Sequence, residues 1–571
     1  MKIKHLFGLA VIAAMTASCS SNEDLGTAGP GTGTNETGIG YATFTINLPT
    51  TSGTRADGDP TFEDGDANEY DVFNATLLVF KKPTTAASEG EYTFVESVDL
   101  GSMQPWKDPS ETGVTTQAKI TAKLSHVDKS GKYFALVLLN NGSGADAKVN
   151  LPTDETTTYS AWNKADNATD KFDKTDKGFY MANAPLYNAT DKNVTTLVAI
   201  DNNKIFPTEA QASSGDAAAD IYVERGLAKV TLTTATKDEK PVATSSSYAG
   251  DKVKISNWAL DVTNKKTFPI HNVDELGYED IWKNEPVATG PSTQRFVDNN
   301  ELTKAKRVYW GKDPNYNNST LNTDETARKA EFKYVTANTE VTADPTKPLY
   351  CLENTFNLAN MMQGQTTRVI FKASYTPKDF TAADGKTFYK IGTSVALWKQ
   401  KDLMDHIKAA VTKVISGATT DNTTINLAAK GNDITAAGNH EIKASNISVT
   451  GHTVTDAEAK AVSDKVGLTQ NAGISTYANG ESYYIARIKH FGDVLTPWNS
   501  GAYGTDNLKY LGRYGMLRNN WYELNVQSVS GPGYPDVPDV KPNTPDDEDD
   551  KYIKVSVKIL KWAKRSQNVD L

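Results

Sequence analysis

The end of the chain carries an isolated strand pattern. In residues 552–562, YIKVSVKILKW, two sets of side chains alternate: Ile553, Val555, Val557 and Ile559 on one side, and Lys554, Ser556, Lys558 and Leu560 on the other. A period of two predicts a strand with one apolar face. A lone strand can neither pair its backbone groups nor hide that face. The segment must therefore add to a sheet, either in its own domain or in a neighbouring molecule.

A Pro-rich and acidic stretch separates this strand from the rest of the chain. The run GPGYPDVPDVKPNTPDDEDD spans residues 531–550, and its composition predicts an extended and solvated linker over residues 532–551. At roughly 3 Å per residue, such a linker would reach about 60 Å. A loop of this length without structure is uncommon inside a compact domain. This favours addition to a neighbour, although the pattern alone leaves both alternatives open.

A second strand pattern lies near the other end. In YATFTINLP, Ala42, Phe44, Ile46 and Leu48 share one face. Arg55 follows in TTSGTRADGDP, a stretch of small polar residues that we expect to be exposed and accessible to a protease. If the strand completes a sheet, its removal opens an apolar groove with unpaired backbone groups, and such an edge recruits another strand. The two patterns are therefore candidate occupants of one groove.

The bulk properties indicate a large β-rich protein. The 571 residues are long enough for two or three domains, and the net charge of −10 argues against a nucleic-acid partner. Short apolar runs broken by Gly, Asn, Asp and Pro predict an all-β fold. They form two groups, 56–240 and 241–531, each of about seven strands, which is typical of β-sandwiches. Residues 417–475 are rich in Thr, Asn and Ala and indicate an insertion.

The sequence offers no convincing catalytic chemistry. None of the seven histidines stands at metal-ligand spacing with another His or Cys. We therefore expect no enzyme activity, no metal and no cofactor. Four tryptophans could instead stack on sugar rings, namely Trp258, Trp310, Trp498 and Trp521. A surface glycan-binding lipoprotein is thus the alternative function.

The first residues predict export and lipidation. Residues 1–18 combine basic residues, a short apolar run and small residues, as signal peptides do. The small residues directly before Cys19 resemble a bacterial lipobox, which implies cleavage before Cys19 and its lipidation with acyl chains such as palmitate. The acidic pair Glu23-Asp24 resembles the surface-export signal of lipoproteins in the Bacteroides group. Residues 19–55 then form a propeptide that contains a polar leash and the first strand.

Several segments together resemble one known family, the type V fimbrillins of Bacteroidales, especially the major subunit of short fimbriae. Besides the two ends of the chain, they include IYVERGLAKV (221–230), WALDVTNKKTFP (258–269), RVYWGKDPNY (307–316), YCLENTF (350–356) and YGMLRNNWYELNVQSVSGPGYP (514–535). The resemblance implies two tandem transthyretin-like β-sandwich domains with a few helices and a C-terminal donor strand. The long 417–475 stretch departs from the family pattern.

The same resemblance implies a maturation and assembly pathway. Arg55 matches the family's cleavage position, so an Arg-specific protease of the trypsin-like kind would cut between Arg55 and Ala56. Residues 552–571 match the donor strand, whose Ile553, Val555, Val557 and Ile559 would enter the next subunit. The implied partners are copies of the chain, other fimbrial subunits and, for the precursor, outer-membrane lipid through Cys19. Mature subunits would form a cell-surface fimbrium, with the stalk, anchor and tip roles all open.

Overall fold

The computed structural model describes residues 33–47, 69, 71–102, 117–188, 193–273, 307–427, 441–468, 473–491, 496, 510–546 and 553–561. Strands dominate these residues and helices are few, which confirms the all-β prediction.

The strands of the first half are β1 (Gly40–Asn47), β2 (Ala75–Lys81), β3 (Thr93–Gly101), β4 (Gln117–Leu124), β5 (Tyr133–Leu139), β6 (Met181–Asn183), β7 (Leu186–Asn188), β8 (Asn193–Thr195), β9 (Val198–Ala199), β10 (Ala219–Arg225), β11 (Leu227–Leu232) and β12 (Lys240–Pro241). Those of the second half are β13 (Lys252–Asp261), β14 (Thr263–Asn264), β15 (Phe332–Lys333), β16 (Leu349–Leu352), β17 (Arg368–Thr376), β18 (Phe388–Ile391), β19 (Leu397–Lys399), β20 (Thr423–Ile425), β21 (Ile447–Val449), β22 (Ile474–Tyr477), β23 (Glu481–Arg487), β24 (Asn520–Val529) and β25 (Ile553–Lys561). The α-helices are α1 (Tyr159–Trp162), α2 (Glu209–Ser214), α3 (Glu325–Glu331), α4 (Gln400–Val414) and α5 (Asp456–Val466).

A large sheet organises the first half of the chain. Its strand order is β3-β2-β5-β6-β10-β1-β4, and β9 pairs additionally with β5. The two ends of this order approach each other, because Glu96 of β3 accepts hydrogen bonds from the backbone N–H groups of Ser125 and His126, just after β4. The sheet therefore curls around a core. Its centre includes β5, whose Val137 belongs to the inner core and whose Leu136 belongs to a second core on the outer face.

Two smaller sheets form a β-sandwich in the second half. One has the order β16-β11-β24-β25 and the other the order β12-β13-β17-β23. A single core joins them, to which β24 contributes Leu524 and β17 contributes Phe371. Side chains from the two inner faces interdigitate in this way in sandwiches.

The chain passes from the large sheet to the sandwich at Gly226. The run 219–234 has the sequence pattern of one strand with a central glycine, but β10 ends at Arg225 in the large sheet and β11 begins at Leu227 beside β16 and β24. A Cβ atom on Gly226 would come within 2.7 Å of the Phe172 ring, so only glycine allows this packing. The change of sheet thus falls before the predicted limit at residue 240, because β11 pairs with strands of the second half. The predicted domain limits, including the one at residue 240, stay predictions.

The predicted insertion is part of a small unit with a core of its own. Helix α4 contributes Leu403 and Ile407 to this core, α5 contributes Val462, and β18 contributes Tyr389. The apolar stripe of α4 faces inward as its helical spacing requires. The unit therefore begins before residue 417, because β18, β19 and α4 pack with the later elements.

Candidate functional site

Strand β1 occupies an interior position of the large sheet. It runs parallel to β10, with Phe44 opposite Ala219, and antiparallel to β4, with Phe44 opposite Ile120. Both backbone edges of β1 therefore take part in ladders. Without β1, a slot one strand wide would separate β10 from β4. We call this position, bounded by β10 and β4, the β1 slot.

The inner face of β1 belongs to the core of the large sheet. Ala42, Phe44 and Ile46 are fully buried and share one core with residues such as Leu77 and Val137. Complete burial of a Phe or Ile side chain is worth roughly 1.5–3 kcal/mol. The β1 slot is therefore strongly apolar on this side. Leu48, the fourth member of the predicted face, lies outside the described residues.

The outer face of β1 is covered in part by helix α2. Thr43 is 1% exposed, and its Oγ1 donates a hydrogen bond to the Ala212 carbonyl of α2 at 2.8 Å. The same Oγ1 lies 2.7 Å from Oγ1 of Thr121 in β4. At the end of the strand, the Asn47 amide donates to the Ile221 carbonyl at 3.2 Å. The sequence pattern predicted the inner face of β1 but not this polar environment of Thr43 under α2, formed by the Ala212 carbonyl and the Thr121 hydroxyl. We call it the Thr43 seat.

The chain beyond the predicted cleavage segment is anchored at Glu69. This side chain is fully buried, and its Oε1 lies 2.7 Å from Nζ of Lys229 in β11. The Tyr350 hydroxyl donates to the same carboxylate at 2.6 Å, and Arg225 Nε donates to the Glu69 carbonyl at 3.2 Å. Because a buried charge needs such partners, Glu69 fixes the chain at this point. A cut well before residue 69 would leave this anchor in place.

The predicted maturation residues are not part of the described structure. Cys19, Arg55 and Ala56 lie outside the described residues. Lipidation at Cys19 and cleavage between Arg55 and Ala56 therefore stay predictions.

The terminal strand β25 lies at the edge of the sheet β16-β11-β24-β25 of its own chain. It pairs antiparallel with β24, and the register sets Ile553, Val555, Val557 and Ile559 opposite Val529, Val526, Leu524 and Tyr522. These four β24 residues are buried, and Val555 itself is 9% exposed within the sandwich core. In this structure the strand thus adds to its own domain, one of the two alternatives left open by the sequence. Its role as a donor strand stays a prediction.

The described part of the linker before β25, residues 532–546, is not solvated as the sequence predicts, and residues 547–551 lie outside the described residues. Tyr534 forms two backbone hydrogen bonds of 2.8 Å with Tyr483 at the edge of β23. Further along, Arg368 donates to the Pro538 carbonyl at 2.9 Å, and Arg487 Nε lies 2.8 Å from Oδ1 of Asp546. Residues 532–546 are therefore docked on the sandwich. The prediction was wrong because composition reports what a segment can bury by itself, and the sandwich supplies the partners.

A buried ionic junction connects the large sheet with the sandwich. Nδ1 of His271 lies 2.9 Å from the Glu224 carboxylate of β10, and Nε2 lies 3.3 Å from Glu353, just after β16. Arg518, just before β24, contacts Glu353 at 3.1 Å. Burial lowers the pKa of His271, but attraction by Glu353 and Glu224 outweighs it, so the pKa lies above its ordinary value. The His271 ring thus lies between two carboxylates, one in β10 and one that directly follows β16.

Two of the four tryptophans considered for sugar binding are placed unfavourably for it. Trp258 and Trp310 are fully buried, so neither can stack on a sugar at the surface. Trp521 is half-buried, with its Nε1 donating to Thr231 Oγ1 at 2.7 Å, and Trp498 lies outside the described residues.

The part of the chain that the structure describes has neither a metal centre nor a membrane-spanning helix. Within it, no group of three or more His, Cys, Asp or Glu side chains could hold a metal ion. Its helices are all too short or too polar to cross a membrane.

Comparison with protein families supports one class of protein. Residues 475–568 match the family described as major fimbrial subunit protein type IV, fimbrillin, C-terminal. The matched part contains β23, β24, the linker and β25. It supports the coarser content of the resemblance stated above, namely a fimbrial subunit. The type V assignment stays a prediction.

Comparison with individual proteins adds little. No curated protein matches the chain. Among solved structures, the chain is similar to the major pilin protein T-13 from Streptococcus pyogenes, with 10% sequence identity over 63% of this chain and 94% of that chain, and a TM-score of 0.12. A TM-score this low carries no argument.

Proposed function

We propose that this chain is a structural subunit of a cell-surface fimbrium. In this proposal, the precursor reaches the outer membrane as a lipoprotein anchored through Cys19. An Arg-specific protease then cuts between Arg55 and Ala56. The terminal strand of one subunit replaces β1 of the next, and repetition of this step builds the fimbrium. The chain acts as a building block and not as an enzyme.

The observation that carries the proposal is the interior position of β1. This strand lies on the lipid-anchored side of the predicted cut, yet it completes the core of the part that follows the cut, with Ala42, Phe44 and Ile46 fully buried. A cut at Arg55 would turn β1 from a covalent part of the subunit into a bound peptide. The fimbrial family match over residues 475–568 supports the same reading, since it includes β25.

Cleavage also supplies the condition under which replacement can occur. Before the cut, the tether keeps β1 at an effective concentration in the millimolar range, so a competing strand cannot replace it. After the cut, a released β1 is diluted and does not return. β25 is suited to enter the slot because it already forms a strand, loses only one ladder when it leaves its edge, and gains two in the slot.

The glycan-binding alternative receives no support from the tryptophans on which it depended. Trp258 and Trp310 are interior residues of the subunit. The partners in the proposal are therefore other copies of the chain and further fimbrial subunits.

Arg55→Ala tests the proposal most directly. We expect the variant to remain a lipidated, unpolymerised precursor, because β1 stays covalently attached and the slot stays occupied. The measurement is the mature N-terminus by mass spectrometry, together with the yield of fimbriae by electron microscopy. The wild-type fimbrial subunit should begin at Ala56.

Arg55→Lys is the matched control, because it keeps the positive charge. An Arg-specific protease should leave this variant uncut, whereas a protease that accepts both basic residues should process it normally. Fimbriae built from subunits that still begin at Cys19 would refute the proposal.

A further inference from the structure

The Thr43 seat under α2 restricts which strand can occupy the β1 slot. The outer face of β1 carries Tyr41, Thr43, Thr45 and Asn47, by the alternation of a strand. Tyr41 and Thr45 are only half-buried, whereas Thr43 is 1% exposed beneath α2. Any strand that replaces β1 must therefore bring a suitable side chain to the position of Thr43.

The surroundings of Thr43 define what is suitable. The seat offers the Ala212 carbonyl, 2.8 Å from Thr43 Oγ1, and the Thr121 hydroxyl, 2.7 Å from it. A small side chain with a hydroxyl satisfies both groups. A lysine would have to bury its ammonium or displace α2, and burial of an unpaired charge is costly. A large apolar side chain would meet α2 and leave both polar groups without their partner.

The terminal strand has one residue of this kind. Its second face reads Lys554, Ser556, Lys558 and Leu560, and only serine is both small and hydroxyl-bearing. We infer that Ser556 of an incoming strand takes the position of Thr43 and thereby sets the register of subunit assembly. This inference rests on the proposed function and names the residue that makes the exchange specific.

The register follows for the whole strand if it runs in the direction of β1, parallel to β10 and antiparallel to β4. Val555, Val557 and Ile559 then take the places of Ala42, Phe44 and Ile46. Lys558 takes the half-exposed place of Thr45, opposite Lys119 of β4, where both ammonium groups must extend into solvent. Leu560 takes the place of Asn47, so the hydrogen bond to the Ile221 carbonyl is lost at that end of the slot. A shift by two residues in one direction keeps an apolar inner face of Ile553, Val555 and Val557 but brings Lys554 under α2. The opposite shift brings Lys558 under α2 and also places Lys561 at the buried position of Ile46. The seat therefore rejects the one shifted register that the inner face alone would accept.

The strand can be altered at Ser556 without disturbing the subunit that donates it. In its own chain, Ser556 lies opposite Asn525, which is half-buried on the outer side of β24. A lysine at position 556 should therefore be tolerated before exchange. Any loss of assembly would then come from the receiving slot and not from a misfolded donor.

The first test compares Ser556→Lys with Ser556→Thr in the full chain. After cleavage at Arg55, we expect the lysine variant to form polymers at least tenfold more slowly, and the threonine variant to match the wild type. Lys554→Ser is the control on the same face and should have little effect. The readouts are the polymer ladder on SDS gels and the melting temperature of the uncleaved monomer. Equal assembly of the Lys and Thr variants with unchanged melting temperatures would overturn the inference.

The second test measures the register by disulfide trapping. Lys119→Cys is combined with Lys558→Cys, and in control chains with Ser556→Cys or Leu560→Cys. Only position 558 should lie opposite residue 119 of the next subunit, within the Cα separation of about 4.4–6.8 Å that a disulfide requires. Trapping at position 556 or 560 instead would overturn the register while leaving strand exchange intact. Polymers without trapping at any of the three positions would refute exchange into the β1 slot itself.

Discussion

Strands β1 and β25 have similar alternating patterns but very different positions. β1 lies inside the large sheet with ladders to β10 and β4, whereas β25 lies at a sheet edge with a ladder to β24 alone. Loss of β25 would expose one edge of the sandwich and leave its two sheets packed. Loss of β1 would divide the large sheet. The two strands thus differ in what their loss costs in stability. β25 can leave its sheet at low cost, whereas loss of β1 without a replacement strand is costly.

This difference suggests why β1, the strand that occupies the slot, and β25, the proposed replacement, would not be interchangeable. The Thr43 seat and the three fully buried residues of β1 make the slot demanding. Since the buried polar groups need partners, an empty slot is costly in two ways, through exposed apolar surface and through unpaired backbone. The edge position of β25 carries neither cost to the same extent.

Removal of residues 552–571 should give the largest effect in this comparison. We expect a soluble and folded monomer that forms no fimbriae, because the sandwich keeps seven of its eight paired strands while the donor is absent. Circular dichroism and size-exclusion chromatography measure the fold, and electron microscopy measures assembly. The contrasting deletion of residues 33–47 should prevent folding of the large sheet. Normal fimbriae from the first deletion would disprove the donor role of β25.

Substitution of single buried residues should show the same difference between β1 and β25, with smaller losses of stability than the deletions. Phe44→Ala should lower the free energy of unfolding by about 3–5 kcal/mol, as for buried aromatic residues in general. Val555→Ala removes two methyl groups at a sheet edge and should cost about 1.5–2 kcal/mol. Urea denaturation of the uncleaved chain measures both values. Similar losses for the two variants would show that β1 and β25 are equally essential to the fold, against the comparison drawn here.

The sequence predicted the two strands far better than their surroundings. Alternation identified the inner face of β1 and the apolar face of β25, because burial on one side of a strand leaves a period of two in the sequence. The Thr43 seat was missed, since a threonine on the outer face of a strand carries no sign of the helix that covers it. The interior position of β1 in the large sheet was not predictable either. The order of strands in the sheet depends on the pairing of β1 with β10, which is far away in the sequence.

Other elements were missed for related physical reasons. Gly226 marks a change of sheet, which depends on the packing of Phe172 and Tyr180 around it. The linker is held by Arg368 and Arg487, whose roles depend on distant residues and leave no local pattern. What is local in the chain was therefore predictable, and what depends on long-range partners was not.

A smaller effect on the unfolding free energy should come from the buried ionic junction around His271, which contacts elements next to both β1 and β25. Well below pH 6.5, the ordinary pKa of the imidazole, His271 is charged in both the folded and the unfolded chain, so its attraction to Glu224 and Glu353 contributes fully. Because its folded pKa is raised, this contribution is lost as the pH rises through that value. The unfolding free energy should therefore fall as the pH rises above about 6.5 and through the raised pKa of His271. Each tenfold difference in proton affinity corresponds to about 1.4 kcal/mol.

His271→Gln should remove this dependence and lower the stability most at acidic pH, where the wild type holds the bridge intact. The carboxylates of Glu224 and Glu353 would then face each other without a cation between them, with Arg518 paired to Glu353 alone. Denaturation of wild type and variant between pH 6 and pH 9 measures the difference. Because Glu224 belongs to β10 and Arg518 precedes β24, hydrogen exchange should increase beside both β1 and β25. An increase at β25 alone would show that the junction supports only the sandwich, and parallel pH curves would show that His271 does not carry the bridge.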